Sequence, residues 1–560
     1  MGFVAGIGTG LRVIRAWVVA AGIGVVAGGA GPGLVLAQGA AALPLAALPS
    51  PRLNFSALEM QLAERVAGHP GLADFYGSNG LRPIFLGEEG AARRHALVAA
   101  LAGAPSHGLP AARYHRDLLE AIERDGADSL DEEIAFAVAL ARWSHDLDGG
   151  LIDPQSLGDG IRRSVDRPST GERLRGFAAA SDPNRWLAAL GPQDPAYRAL
   201  QGALARAQGL TAPPGTPLVP AGSWRPGMRD PAIAALRARL AAIGFDAPAE
   251  GDPALFDAPM AQAVGAFQQA AGLGADGIAG PQTLVRLNRE GSPEADGILV
   301  SLERMRWMGG HDLSARHVWV NLPSYMASIR EGGEEVFSTR VVIGKEVATH
   351  ATPEFTAPMR YVIVNPRWNV PRSITVREYL PKLQANRNAV AHLDVVDGAG
   401  NVIPRSRIDF RRYSAANFPY RLRQKPSDDN ALGQVKFMFP NPWNIYLHDT
   451  PTRHLFDRPE RAYSHGCIRV ARPIDLAREV LRGQLDDPDR AIGRALESGR
   501  ETYLNLRAPI PVHLVYFTTF PDADGRLRHW PDIYGRDPVV LAALRHAAAE
   551  AAQERIPGLD

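Results

Sequence analysis

At Gly297 the apolar periodicity of this chain changes, and nothing else in the sequence constrains its fold as strongly. Before that point apolar residues recur at helical spacing. After it they alternate with polar ones, as strands half-buried on a core do. Residues 317–322, 340–344, 360–364, 443–447 and 511–517 read as strands. A helical half joined to a strand half makes an α+β multidomain protein, and 560 residues suit about three cores. The strand half, 296–540, is expected to be β-rich and sandwich-like, with one helix over Pro473–Leu481 that opens on proline.

Turn formers divide the helical half, and the chain has 56 Gly and 45 Pro to do it with. Residues 38–52 and 213–225 read as linkers. Residues 53–212 read as a helical scaffold, and 541–560 as a helical tail. Asp146, Asp148 and Gly149 lack the rest of a calcium-loop ladder, so they are read as a turn with solvated carboxylates. In 226–292, Ile233, Leu236 and Leu240, then Ala263, Val264 and Phe267, then Leu284 and Leu287 mark three short helices around one apolar cluster.

With 61 basic against 60 acidic residues there is no basic stripe of the kind that grips nucleic acid. Residues 1–37 have the parts of a secretory signal: Arg12 and Arg15, an uncharged apolar run over 16–36, and small Ala37 at a cleavage site. The run approaches spanning length, so an uncleaved membrane anchor is the alternative.

Cys467 is the sole cysteine, which rules out an intramolecular disulfide. A free thiol in an exported chain is exposed to oxidation, so it is either buried in a core or kept for its reactivity. A thiol attacks carbonyls as thiolate, which needs a base and a favourable field. His465 lies two residues away and His448 nineteen, and spacing alone does not choose between them. Gly466 allows a tight turn that exposes the sulfur, and Arg469 adds positive charge. With no second cysteine, no metal site closes around this pair.

Two stretches resemble known families. Leu236, Leu240, Gly244-Phe245, Phe256, Ala263-Val264, Phe267-Gln268, Asp276-Gly277, Gly280 and Thr283 resemble the peptidoglycan-binding domain type 1 family, with Asp257 and Met260 as departures. His448, followed after fifteen residues by Ser464-His465-Gly466-Cys467-Ile468-Arg469, resembles the signature of the L,D-transpeptidase catalytic domain. Val342 to Lys345, Thr352-Pro353 and residues 365–374 extend that likeness to the larger Gram-negative branch, which inserts a lid, here about 375–435. The resemblance implies Cys467 as nucleophile, His448 as base, His465 in support, and Gly466 with the Cys467 amide at the oxyanion. It places Tyr446, Arg469, Ser464 and Trp368 against the substrate. It implies a periplasmic enzyme that needs no metal or organic cofactor, acts on peptidoglycan stem peptides and glycan through a thioester, and forms 3→3 cross-links. Carbapenems would acylate the same sulfur. Water or a lipoprotein lysine as acceptor would instead give a carboxypeptidase or an anchoring enzyme. Loss of chemistry would leave a wall-binding protein.

Overall fold

A computed structural model describes residues 55–210, 212, 215–289, 293–551 and 553. The signal and first-linker readings therefore lie outside the described residues, as do parts of the second linker and the end of the tail.

Three scaffold helices begin on Ser-x-x-Glu, whose two side chains satisfy backbone donors reciprocally. Ser56 and Glu59 open Ala57–Val66, Ser129 and Glu132 open Leu130–Gly149, and Ser169 and Glu172 open Thr170–Ala178. Phe75, Phe85, Phe136 and Phe177 fill the core between them. Glu133 is buried there and is tolerated because Tyr76 and the Ile84 and Phe85 amides donate to it at 2.5, 2.8 and 2.8 Å. Asp146 is not in a solvated turn. The helix runs on to Gly149, so Asp146 is buried and accepts from Arg113 at 2.6 Å and Tyr114 at 2.9 Å.

The three short helices are Ala232–Ala242, Ala258–Ala270 and Pro281–Leu287, packed on Leu236, Phe256, Val264 and Phe267. Asp257 caps the second helix by accepting from the Met260 amide at 3.1 Å. Val219 and Trp224, from the stretch read as a linker, are buried in this core. Trp224 and Ala279 exchange backbone hydrogen bonds of 3.1 and 2.9 Å.

The main sheet of the strand half has nine strands. In chain order its strands are β1 (His317–Asn321), β2 (Met326–Glu331), β3 (Glu334–Gly344), β4 (Phe355–Val364), β5 (Val435–Met438), β6 (Leu447–His448), β7 (Ala462–Ser464), β8 (Ile468–Val470) and β9 (Thr502–Val515). They lie in the order β7-β3-β8-β6-β5-β4-β9-β1-β2, and β2 also pairs with β3. The sheet thus closes on itself, and Val318, Val362, Phe437, Leu447, Ile468 and Val512 face one another inside. Leu476 and Val480 of helix Pro473–Leu481 pack on that core. The strand expected over 443–447 shrinks to Leu447–His448. Asn444 is left-handed at φ 54° and the Asn441 side chain accepts from the Trp443 and Ile445 amides, so a turn occupies the place.

The scaffold is joined to this sheet by backbone. The Arg162 amide donates to the Glu354 carbonyl at 2.8 Å and the Glu354 amide to the Gly160 carbonyl at 3.0 Å, just before β4. The buried Arg163 reaches Thr356 Oγ1 at 2.8 Å and the Leu514 carbonyl at 3.0 Å. The C-terminal helix starts at Asp537, earlier than the expected tail, and sets Val540 and Leu544 against Ile161 and Trp307.

The inserted segment is a folded subdomain. Trp368–Asn369, Arg421–Gln424 and Leu393–Val396 form a three-stranded sheet of their own, over a core of Leu380, Leu383, Phe410, Phe418 and Leu422. Its many polar residues coat that core. No helix among the described residues is long and apolar enough to cross a membrane.

Candidate active site

β6 and β8 lie side by side in parallel, with Leu447 opposite Ile468 and His448 opposite Arg469. Leu447 and Ile468 point into the core, and alternation turns Tyr446, His448, Cys467 and Arg469 to the other face. Lys436 of β5 stands opposite His448 on that same face. One patch of sheet therefore carries a thiol, an imidazole, a phenol and two cations.

The Cys467 sulfur lies 3.6 Å from the Asn444 carbonyl, and the Tyr446 hydroxyl hydrogen-bonds it. Burial pushes the thiol up from its ordinary range, against the pull of the Tyr446 amide and hydroxyl and of Lys436 and Arg469. His448 is buried, and its Nδ1 sits against the Asp449 carbonyl. A carbonyl only accepts, so the hydrogen is on Nδ1 and the lone pair on Nε2. Burial, with Arg469 beside it, holds His448 down to about 3. At rest, then, the thiol and the imidazole are both neutral.

Lys436 Nζ stands 3.8 Å over the Tyr446 ring, and burial lowers its pKa while Cys467 and Glu501 raise it. Half-buried Trp368 pulls the Tyr446 phenol down against the burial that holds it well above its ordinary range. Trp368 is thus one step removed from the thiol. Sequence reasoning passed over Lys436, although Val435-Lys436-Phe437-Met438 alternates and would have put it on the non-core face of a strand.

Stretches of the chain are similar to known proteins. Residues 315–489 match the L,D-transpeptidase catalytic domain family, 70–204 a scaffold domain and 229–287 a peptidoglycan binding domain. Residues 315–489 are thus similar to the L,D-transpeptidase catalytic domain. The chain is 36% identical over 222 residues to a Haemophilus influenzae protein named "Putative L,D-transpeptidase", covering 39% of this chain and 44% of that one. The chain thus spans less than half the length of that relative. Solved L,D-transpeptidases of Xylanimonas cellulosilytica and Stackebrandtia nassauensis align with 54% of this chain and with 100% and 97% of their own. Their identities are 17% and 15%, and their TM-scores 0.15 and 0.16.

Within residues 315–489 three of the expected site groups are engaged by neighbours of their own. The Gly466 amide is not free for an oxyanion, because it donates to Ser464 Oγ at 3.1 Å. Ser464 is buried and passes its own hydrogen to the Cys467 carbonyl at 2.5 Å, so it braces the loop. His465 is directed to the lid: its Nε2 is 2.7 Å from Glu378 Oε1 and its ring packs on His350 at 4.5 Å. Gly466 is required for its backbone, with φ +111° and a Cβ position 3.1 Å from Ile445 Cδ1. Half-buried Arg469 lies close enough to the thiol and His448 to bias the protonation of both. No group of three or more His, Cys, Asp or Glu among the described residues is placed to hold a metal ion.

Proposed function

We propose that this chain is a peptidoglycan L,D-transpeptidase that works outside the cytoplasm, in the periplasm, and forms 3→3 cross-links through a thioester on Cys467. The observation that carries the reading is the single sheet face on which Cys467, Tyr446, His448 and Arg469 meet, with the His448 lone pair confined to Nε2.

His448 Nε2 takes the Cys467 proton as sulfur attacks the carbonyl of the third stem residue in a tetrapeptide donor. Tyr446, Lys436 and Arg469 offset the charge on the thiolate. The carbonyl π electrons move to oxygen, where the Cys467 amide receives them. Collapse breaks the bond to D-Ala, whose nitrogen recovers the proton from His448, and a thioester remains. The side-chain amine of diaminopimelate on a second stem then attacks the thioester, its proton passing to His448 and on to the departing sulfur. The three-helix domain holds the wall, and the scaffold sets the catalytic sheet relative to it.

The test is incubation of the purified chain with disaccharide-tetrapeptide, read by mass spectrometry. Cross-linked dimers that vanish in Cys467→Ala support transpeptidation. Tripeptide alone makes the chain a carboxypeptidase. Neither adduct nor turnover makes it a wall-binding protein, and the proposal fails.

A further inference from the structure

We propose that Thr352 is a positioning residue that aims the Cys467 amide hydrogen at the developing oxyanion. This rests on the reading that Cys467 attacks a carbonyl.

The only remaining oxyanion donor of the pair suggested by sequence is the Cys467 N–H, which has no partner among the described residues. That N–H belongs to the peptide whose carbonyl is Gly466. In a trans peptide the N–H lies in the plane of the C=O and points the opposite way. Whatever fixes the Gly466 carbonyl therefore fixes the direction of the Cys467 hydrogen. Gly466 has no Cβ to restrict this plane from within, so the constraint has to come from a neighbour.

Thr352 supplies it. Its Oγ1 lies 2.8 Å from the Gly466 oxygen and 2.9 Å from the Gly344 nitrogen. The Gly344 N–H only donates, so the threonine lone pair is committed to it and the threonine hydrogen is committed to the Gly466 carbonyl. The side chain is fully buried, so water does not compete for either bond. Its backbone is clamped in turn. The Thr352 amide donates to the Tyr534 oxygen at 3.3 Å, and Tyr534 donates to the Gly344 carbonyl at 2.6 Å. Arg536 donates to the Thr352 carbonyl at 2.8 Å and to Glu354 at 3.1 Å, with its guanidinium 4.7 and 4.8 Å from the Tyr516 and Tyr534 ring centres. Glu354 is the residue to which the scaffold segment at Gly160 and Arg162 is bonded. A line of polar contacts thus runs from the scaffold to the peptide plane beside the nucleophile.

Two reagents separate this role from general support of the thiol. Iodoacetamide alkylates sulfur by displacement at a saturated carbon and forms no oxyanion. A carbapenem acylates it through one. The full chain, Thr352→Val, Thr352→Ser and Tyr534→Phe are compared with both reagents by intact mass, with thermal unfolding as the fold check. Thr352→Val should lose about 10²-fold in acylation, the scale of one oxyanion donor, with alkylation within about twofold of the parent. Thr352→Ser, which keeps the hydroxyl, should recover most of that loss. Tyr534→Phe, which leaves the loop's own contacts in place, should lose less acylation than Thr352→Val and no alkylation, and it decides the matter if the valine variant does not fold. Acylation at the parent rate in the folded valine variant, or parallel loss with both reagents, overturns the assignment. A parent that alkylates but never acylates overturns the proposed function itself.

Discussion

Replacing Tyr446 by phenylalanine removes one oxygen and little else. The ring still lies under Lys436 Nζ at 3.8 Å and beside His448 at 5.6 Å. What goes is the hydrogen bond from the phenol to sulfur, together with the group on which Trp368 acts. A hydrogen bond to a charged partner contributes about 1.5–3 kcal/mol, and it favours the thiolate over the thiol. Burial already holds the thiol above its ordinary range, so the loss raises it further. At about 1.4 kcal/mol per factor of ten, the thiolate population at a given pH below the midpoint should fall roughly 10- to 100-fold. Second-order alkylation by iodoacetamide at pH 8, followed by intact mass, reads this directly, and carbapenem acylation should fall by a similar factor. That parallel loss sets Tyr446→Phe apart from Thr352→Val, which should spare alkylation. An alkylation rate within threefold of the parent in a folded Tyr446→Phe protein would refute the argument that the phenol stabilises the thiolate.

The neutral resting pair predicts that alkylation falls continuously as pH drops below 8. A flat, high rate down to pH 5 would mean a thiolate–imidazolium pair instead. For stability, an unfolded His448 titrates near 6.5 while the folded one stays neutral to about 3, so between those values the unfolded chain binds the extra proton. This contribution is present above pH 6.5 and is lost as pH falls toward 3; denaturant titrations at pH 7.5 and 4.5 should show the drop, and a smaller one in His448→Gln. Glu378→Ala cuts the contact to His465, and hydrogen exchange in the lid helix Leu380–Ala385 should rise; unchanged exchange there would show that this contact does not hold the lid. Phe410→Ala should cost the lid core about 3–5 kcal/mol and open 372–424 to limited proteolysis while Cys467 still alkylates, whereas loss of alkylation would mean the lid is part of the catalytic core.

Much of the site was legible because its parts are close in sequence or patterned by one element. Gly466, Cys467 and Arg469 sit within four residues, and the alternation of Tyr446 and His448 marks one face of a strand. The same holds for the Ser-x-x-Glu caps and the three-helix domain, whose signals are complete within a few turns. Composition misled where burial decides. Asp146 reads as solvated until Arg113 and Tyr114 are brought to it, and the polar surface of the lid hides the core that Phe410 and Phe418 make.

By itself the sequence determined the candidate residues around Cys467 and the helical or strand character of each half, because side-chain type and periodicity are local properties. Only the tertiary structure decided which atoms are free to act. Ser464 takes the Gly466 amide, Asp449 settles the His448 tautomer, and Thr352 reaches the Gly466 carbonyl from 114 residues away. Each of these outcomes is a competition for one donor or one lone pair. Hydrogen bonds form over about 3 Å, and only the closed sheet sets which strands come within that reach.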